Sequence, residues 1–214
     1  MVEINLLDMY PQIKRDTKSR KLEMTPNRIR TAKKFGWEFF DKKGVCYNGY
    51  TYDGRWIPIV KRLIEHYNLK QGDKIFDVGA GKGYLVYDLL NFGLDAYGID
   101  ISQYAINCSP PEIRWRLKEG NAKDLHMYKD KQFDLVISIT TIHNLEEEDC
   151  RKAVKEIQRV GKHAFITVDS YRNEEEKQRI LEWNITAETI KSDKEWIQLF
   201  KEEGYTGDFW WFVP

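Results

Sequence analysis

Cysteine is scarce in this chain, net charge is absent, and no long apolar run occurs. Cys46, Cys108 and Cys150 are odd in number and far apart along 214 residues. That spacing excludes a disulfide framework and any Cys/His set with zinc spacing. Free thiols in a reducing cytoplasm, and no metal site, are therefore expected. Lys+Arg and Asp+Glu both number 34, giving a formal net charge of +0. Such a balance argues against bulk nucleic-acid binding. No apolar stretch approaches the roughly 20 residues of a membrane span. The opening Met-Val-Glu-Ile-Asn lacks the charged-then-apolar layout of a leader, which again points to the cytoplasm. Repeats and low-complexity stretches are missing too. The size fits one domain with a sizeable core and an added extension.

Two phosphate-binding signatures are also missing. The P-loop string G-x-x-x-x-G-K-[ST] does not occur. The dinucleotide fingerprint G-x-G-x-x-G fails because Tyr84 stands where its third glycine is required. What is present is Lys-Ile-Phe-Asp-Val-Gly-Ala-Gly-Lys-Gly at 74–83. A short apolar run reaches Asp77; Gly79, Ala80, Gly81 and Gly83 follow; then Leu85, Val86, Leu89 and Leu90 recur at helical spacing. This reads as strand, tight glycine turn and helix. The turn lets a ligand approach bare backbone, and the helix start offers unpaired N–H groups. A carboxylate at the strand tip would repel a pyrophosphate. It would not repel a cationic amine or a sulfonium.

At these residues the chain resembles the class I S-adenosylmethionine methyltransferases, whose first motif is D-x-G-x-G-x-G. Three further motifs carry the resemblance. Ala96-Tyr97-Gly98-Ile99-Asp100 is a short strand ending in an acid, 17 residues beyond Gly83. The family resemblance implies that Asp100 accepts the ribose hydroxyls and that Ile101 packs on the adenine. Glu119-Gly120-Asn121-Ala122 stands where relatives often carry G-D-A. Asn121 and Ala122 would then meet the adenine edge, Asn121 through an uncharged amide oxygen. In the fourth motif, which opens at Phe133, Leu135–Ile139 is dense in β-branched residues and reads as a central parallel strand, with Ser138 implied on the cofactor. The loop after it holds His143. A comparable histidine follows this strand in enzymes resembling the quinone-biosynthesis C-methyltransferases. The likeness covers residues 74–169 well and the flanks loosely.

Upstream, Lys/Arg outnumber acids nine to two between residues 12 and 34, where Lys14 is the first. Thr25-Pro26 is a helix start, with Ile29, Ala32, Phe35 and Phe39 at helical spacing after it. One or two basic helices thus precede the core, read as a solvated face or as a guide for an anionic substrate. Tyr47-Asn48-Gly49-Tyr50-Thr51-Tyr52-Asp53-Gly54-Arg55-Trp56 alternates aromatics and glycines, which suits a structured loop. By resemblance this segment closes on the methionine half of the cofactor. Arg55 would pair with its carboxylate and Tyr50 would hydrogen-bond it.

Methyl transfer from a sulfonium needs no protonation of the leaving group. The protein must position and desolvate the nucleophile, and a base helps a hydroxyl. His143 is the first candidate base, since imidazole titrates near 6.5. Asp169, at the end of the fifth strand, is the second. Asn144, Tyr171, Arg172 and Trp183 are candidate substrate contacts.

The expected architecture is a Rossmann-like open twisted α/β sheet of six or seven mostly parallel strands, the last antiparallel, with helices on both faces. Residues 1–56 form a basic helical lid and 57–214 the S-adenosylmethionine-binding core. The expected acceptor is an anionic small molecule, methylated at a hydroxyl oxygen. An RNA or protein substrate docked on the basic helices, or a quinone-like ring carbon, stands as the alternative.

Overall fold

A strand buried on both faces needs helices above and below it, and the alternation of short apolar runs with amphipathic helices supplies them. The computed structural model describes residues 1–11, 15–46 and 50–214. Lys14 and the Tyr47-Asn48-Gly49 part of the aromatic loop lie outside the described residues. Three short helices come first: α1 (Thr17–Glu23), α2 (Pro26–Ala32) and α3 (Trp37–Phe40). Thr25 caps α2 through its side chain and Pro26 sits in its first turn. The core follows as α4 (Ile57–Tyr67), β1 (Lys74–Val78), α5 (Tyr84–Asn91), β2 (Asp95–Asp100), α6 (Gln103–Asn107) and β3 (Leu117–Glu119). It continues as β4 (Phe133–Ile139), α7 (Glu147–Val160), β5 (Gly161–Tyr171), α8 (Glu174–Trp183), β6 (Lys191–Ser192), α9 (Asp193–Glu202) and β7 (Asp208–Phe212).

The sheet runs β3-β2-β1-β4-β5-β6, with β7 also paired to β5. From β1 the chain moves outward to β2 and β3, then returns to the other side of β1 as β4. That reversal is a topological switch point, and it opens a crevice at the carboxyl ends of β1 and β4. The expectation of an antiparallel last strand is overturned. β7 runs parallel to β5, pairing Phe165 with Asp208 through Asp169 with Phe212. The cause is the connection. α9 lies between β6 and β7 and carries the chain back along the sheet, as a parallel crossover requires. The outer side of β7 takes Glu3 in a parallel bridge, with Ile4 N–H on the Phe209 carbonyl at 2.9 Å. The chain's own start thereby covers a strand edge.

Two apolar layers sandwich the sheet. Val154, Ile157, Trp196 and Phe200 from α7 and α9 cover one face. Ile59, Leu63, Val86 and Leu89 from α4 and α5, with Leu6, cover the other. A third cluster joins Ala32, Phe39, Phe40 and Cys46 to Ala105 and Ile185, so the N-terminal helices pack against the rim of the crevice. α9 begins with a reciprocal cap between Ser192 and Glu195, satisfying two N–H groups at once. Its Trp196 is fully buried and donates its indole N–H to the Asp169 carbonyl at 3.0 Å, which fixes the end of β5. Among the described residues, no helix is long and apolar enough to cross a membrane.

Candidate functional site

The switch point opens into a cavity of about 1010 Å³. That lies at the upper end of ordinary ligand sites, about 300–1,000 Å³, so there is room for a large ligand and a second one beside it. The glycine bend forms its floor. Gly79, Gly81 and Gly83 have φ of +90°, +56° and +74°, the left-handed region open to glycine. At Gly79 a Cβ would come within 2.2 Å of the Thr141 side chain, so the bend after β1 lies hard against the loop after β4.

Asp77 and Asp100 both line the cavity at adjacent strand tips. Asp77 is buried, and its carboxyl is pushed up to about 7, first by lost hydration and then by the nearby Asp100. Asp100 is also raised by burial, opposed by the N–H groups of Ser102 and Gly81, which bond its two oxygens at 2.8 and 2.7 Å. Ala80, Ile101, Asn121 and Ala122 line the same end. Ile101 is 53% exposed, a free apolar surface beside Asp100. The Asn121 amide oxygen accepts the Lys123 N–H at 3.2 Å.

Several candidate residues stand elsewhere or are already engaged. Gly83 does not line the cavity; a Cβ there would meet Leu117 at 2.7 Å, so its freedom serves packing of the bend on β3. Ser138 is fully buried inside the sheet opposite Ile166, because the two-residue alternation of β4 turns Ile139 to the cavity and Ser138 away. Tyr171 is also off the cavity and has the Lys177 ammonium over its ring at 5.4 Å. Arg55 does line it, but its guanidinium grips Asp53 at 2.8 and 2.6 Å and donates to the Tyr10 hydroxyl at 3.1 Å. Those bonds raise its pKa further. Tyr50 lines the cavity, and its carbonyl accepts from Lys82 at 2.9 Å.

At the far end the structure gathers His143, Asn144, Asp169, Arg172 and Trp183. His143 is buried; its Nδ1 accepts the Asp169 backbone N–H at 3.2 Å, leaving the proton of the neutral ring on Nε2. Burial lowers its pKa, against the pull of the Asp169 carboxylate 3.8 Å away. That bond engages the lone pair that a base would use, which counts against His143 as the proton acceptor. Asp169 offers the better group: its Oδ2 accepts from the Asn184 amide, while no hydrogen bond among the described residues reaches Oδ1. Asn184 itself was not legible as a site residue. Its own oxygen accepts from the N–H groups of Thr186 and Ala187 at 2.9 and 2.6 Å, which fixes the amide nitrogen toward Asp169.

Asn144 keeps a buried side-chain oxygen with no partner among the described residues. Thr140, before it, has φ +48°, an uncommon conformation for a β-branched residue. Its N–H bonds to Thr167 hold it there, through the carbonyl and the hydroxyl, both at 3.0 Å. Strain of this kind concentrates at functional sites. Trp183 has the guanidiniums of Arg20 and Arg15 at 4.4 and 5.2 Å from its ring. Arg172 lines the wall and pairs with Glu3 at 3.1 Å.

Residues 76–164 match the methyltransferase domain family. The uncharacterized protein MJ1252 of Methanocaldococcus jannaschii is 29% identical over 136 residues, 64% of this chain and 51% of that protein. Ribosomal RNA small subunit methyltransferase C of Buchnera aphidicola is 29% identical over 119 residues, 50% of this chain and 35% of that one. The chain thus spans about half of the first relative and about a third of the second. One solved structure is provisionally described as a methyltransferase from an antibiotic biosynthesis pathway of Anabaena variabilis. It is 28% identical with a TM-score of 0.50, over 69% of this chain and 60% of that one. Residues 76–164 thus carry a methyltransferase-domain match, on a fold that this chain shares with the Anabaena structure.

Proposed function

We propose that this chain transfers the methyl group of S-adenosylmethionine to a hydroxyl oxygen of an anionic small molecule. The observation that carries the reading is the acid pair of buried Asp77 and half-buried Asp100, at neighbouring strand tips around a glycine bend. Two carboxylates and bare backbone suit a ligand bearing a cationic amine, a sulfonium and vicinal hydroxyls. They do not suit a diphosphate. The apolar Ile101 beside Asp100, with Asn121 in the same lining, fits a flat purine. When bound, this cofactor supplies an electrophilic methyl group on a charged sulfur.

The chain's own residues then have separate tasks. Asp77 and Asp100 hold the cationic and hydroxyl-bearing ends. Asp169 Oδ1 takes the proton of the attacking hydroxyl, and His143 stays neutral behind it. Asn144's unpartnered oxygen accepts a hydrogen bond from the acceptor. Arg15 and Arg20 around Trp183 bring guanidinium groups to that end, which a carboxylate or phosphate on the acceptor would meet.

Part of the charge on the basic helices is spent within this chain. Arg28 bonds the Val45 carbonyl and Glu23, Lys33 pairs with Glu188, and Lys21 with Glu182. Lys18, Arg30 and Lys34 are exposed, so the salt dependence of turnover separates a polyanion from a small anionic acceptor. The RNA activity belongs to the Buchnera relative. A methyl-donor assay over small hydroxyl compounds, with and without a carboxylate or phosphate, tests this reading. Turnover is expected for an anionic hydroxyl compound and is expected to survive added salt. Methylation of RNA alone, falling steeply with salt, would replace this reading by the nucleic-acid one. Methylation at carbon of a quinone-like ring would replace the acceptor atom.

A further inference from the structure

The glycine bend carries a lysine, Lys82, that the cofactor reading does not use. Lys82 lines the cavity yet is only 7% exposed. Its ammonium contacts Asp41 at 2.5 Å and the Tyr50 carbonyl at 2.9 Å. The second oxygen of Asp41 accepts the Tyr104 hydroxyl at 2.7 Å from α6, the helix that follows the second motif. Burial pushes the Asp41 carboxyl up, but the bonds from Lys82 and Tyr104 outweigh it and hold it below its ordinary value. One acid therefore fastens the N-terminal segment to both halves of the donor site.

Neighbouring contacts act along the same seam. The Ser102 hydroxyl donates to the Phe35 carbonyl at 2.5 Å, and the Tyr84 hydroxyl to that of Tyr50 at 3.2 Å. Phe40 lies over the bend, where a Cβ on Gly81 would stand 3.4 Å from its ring. Residues 35–46 and 50–52 are thus drawn across the end of the cavity that holds Asp77 and Asp100. Charge adds a second reason for the pair. An unneutralised lysine inside the bend would repel a cationic donor, and Asp41 cancels it where the donor must sit.

We infer that Asp41 is a positioning residue of the donor site: through Lys82 and Tyr104 it latches the N-terminal segment shut over the bound donor. This rests on the S-adenosylmethionine reading above. Opening the latch must precede departure of the demethylated product, so product release is set by a charged contact and not by hydrophobic packing alone.

Asp41→Asn keeps the shape and the acceptor oxygen and removes the charge. Stopped-flow release of S-adenosylhomocysteine, chased with excess S-adenosylmethionine, should be about tenfold or more faster in this variant. Association should change less than release, and the melting temperature should fall, because the buried Lys82 ammonium loses its counter-charge. Tyr104→Phe removes one bond of the same latch and should speed release about two- to fivefold; it decides the matter should Asp41→Asn fail to fold. Release within twofold of the unmodified chain in the folded variants overturns the latch and leaves the functional reading standing. Failure of the unmodified chain to bind either nucleoside overturns both.

Discussion

Asp77→Asn should weaken binding of S-adenosylmethionine at least about hundredfold, the scale expected when one partner of a buried charge pair is removed. The pH dependence gives this prediction its sign. The Asp77 carboxyl is pushed up to about 7 by burial and then by Asp100. Below that pH it is neutral and offers a cation little. Affinity for the donor should therefore rise with pH across a window centred near 7 in the unmodified chain, and lose that dependence in the variant. Stability should move the other way. A carboxyl raised in the folded state is stabilising while protonated, fully so below about 4. That stability is lost as pH rises through about 7. Asp77→Asn lacks the loss and should melt higher than the unmodified chain at pH 8 while binding the donor worse. Calorimetric titration and thermal melts over pH 5–9 check both halves. Equal donor affinity in the two proteins would remove Asp77 from the site.

Asp169→Asn should lower kcat by roughly 10²- to 10⁴-fold with donor affinity unchanged, as for loss of a proton acceptor. The mutated amide still receives the bond geometry around Asn184 and Trp196, so the fold should persist. His143→Gln should cost less, because its Nδ1 is already committed to the Asp169 backbone. Steady-state rates with an acceptor that turns over, beside donor titrations, separate the two effects. A larger kcat loss at His143 than at Asp169 would restore the histidine as base.

Local chemistry made much of this fold legible. Thr25-Pro26, the Ser192/Glu195 cap and the run from Leu135 to Ile139 each fall in the element that their residue types favour. The glycine bend was readable because three left-handed positions in five residues admit few alternatives. The direction of β7 was not, since strand sense is set by the crossover and not by the strand's own residues. The α9 pattern between β6 and β7 was the available signal. Ser138 was misplaced for want of counting: one residue along a strand reverses the face. Asn184 and Asp41 could not be found from sequence. Each acts on a group 15 or 41 residues away, Asp169 and Lys82 respectively, and only the fold brings them together. Lys82 did leave a trace, as the one charged residue inside the bend.

The most direct measurement is calorimetric titration of the unmodified chain at pH 8 with S-adenosylmethionine, S-adenosylhomocysteine and a nicotinamide dinucleotide. One equivalent of either adenosyl compound should bind, and the dinucleotide should give no heat, because the carboxylates of Asp77 and Asp100 front the bend. Binding of the dinucleotide with no response to the adenosyl pair would contradict the account at its root.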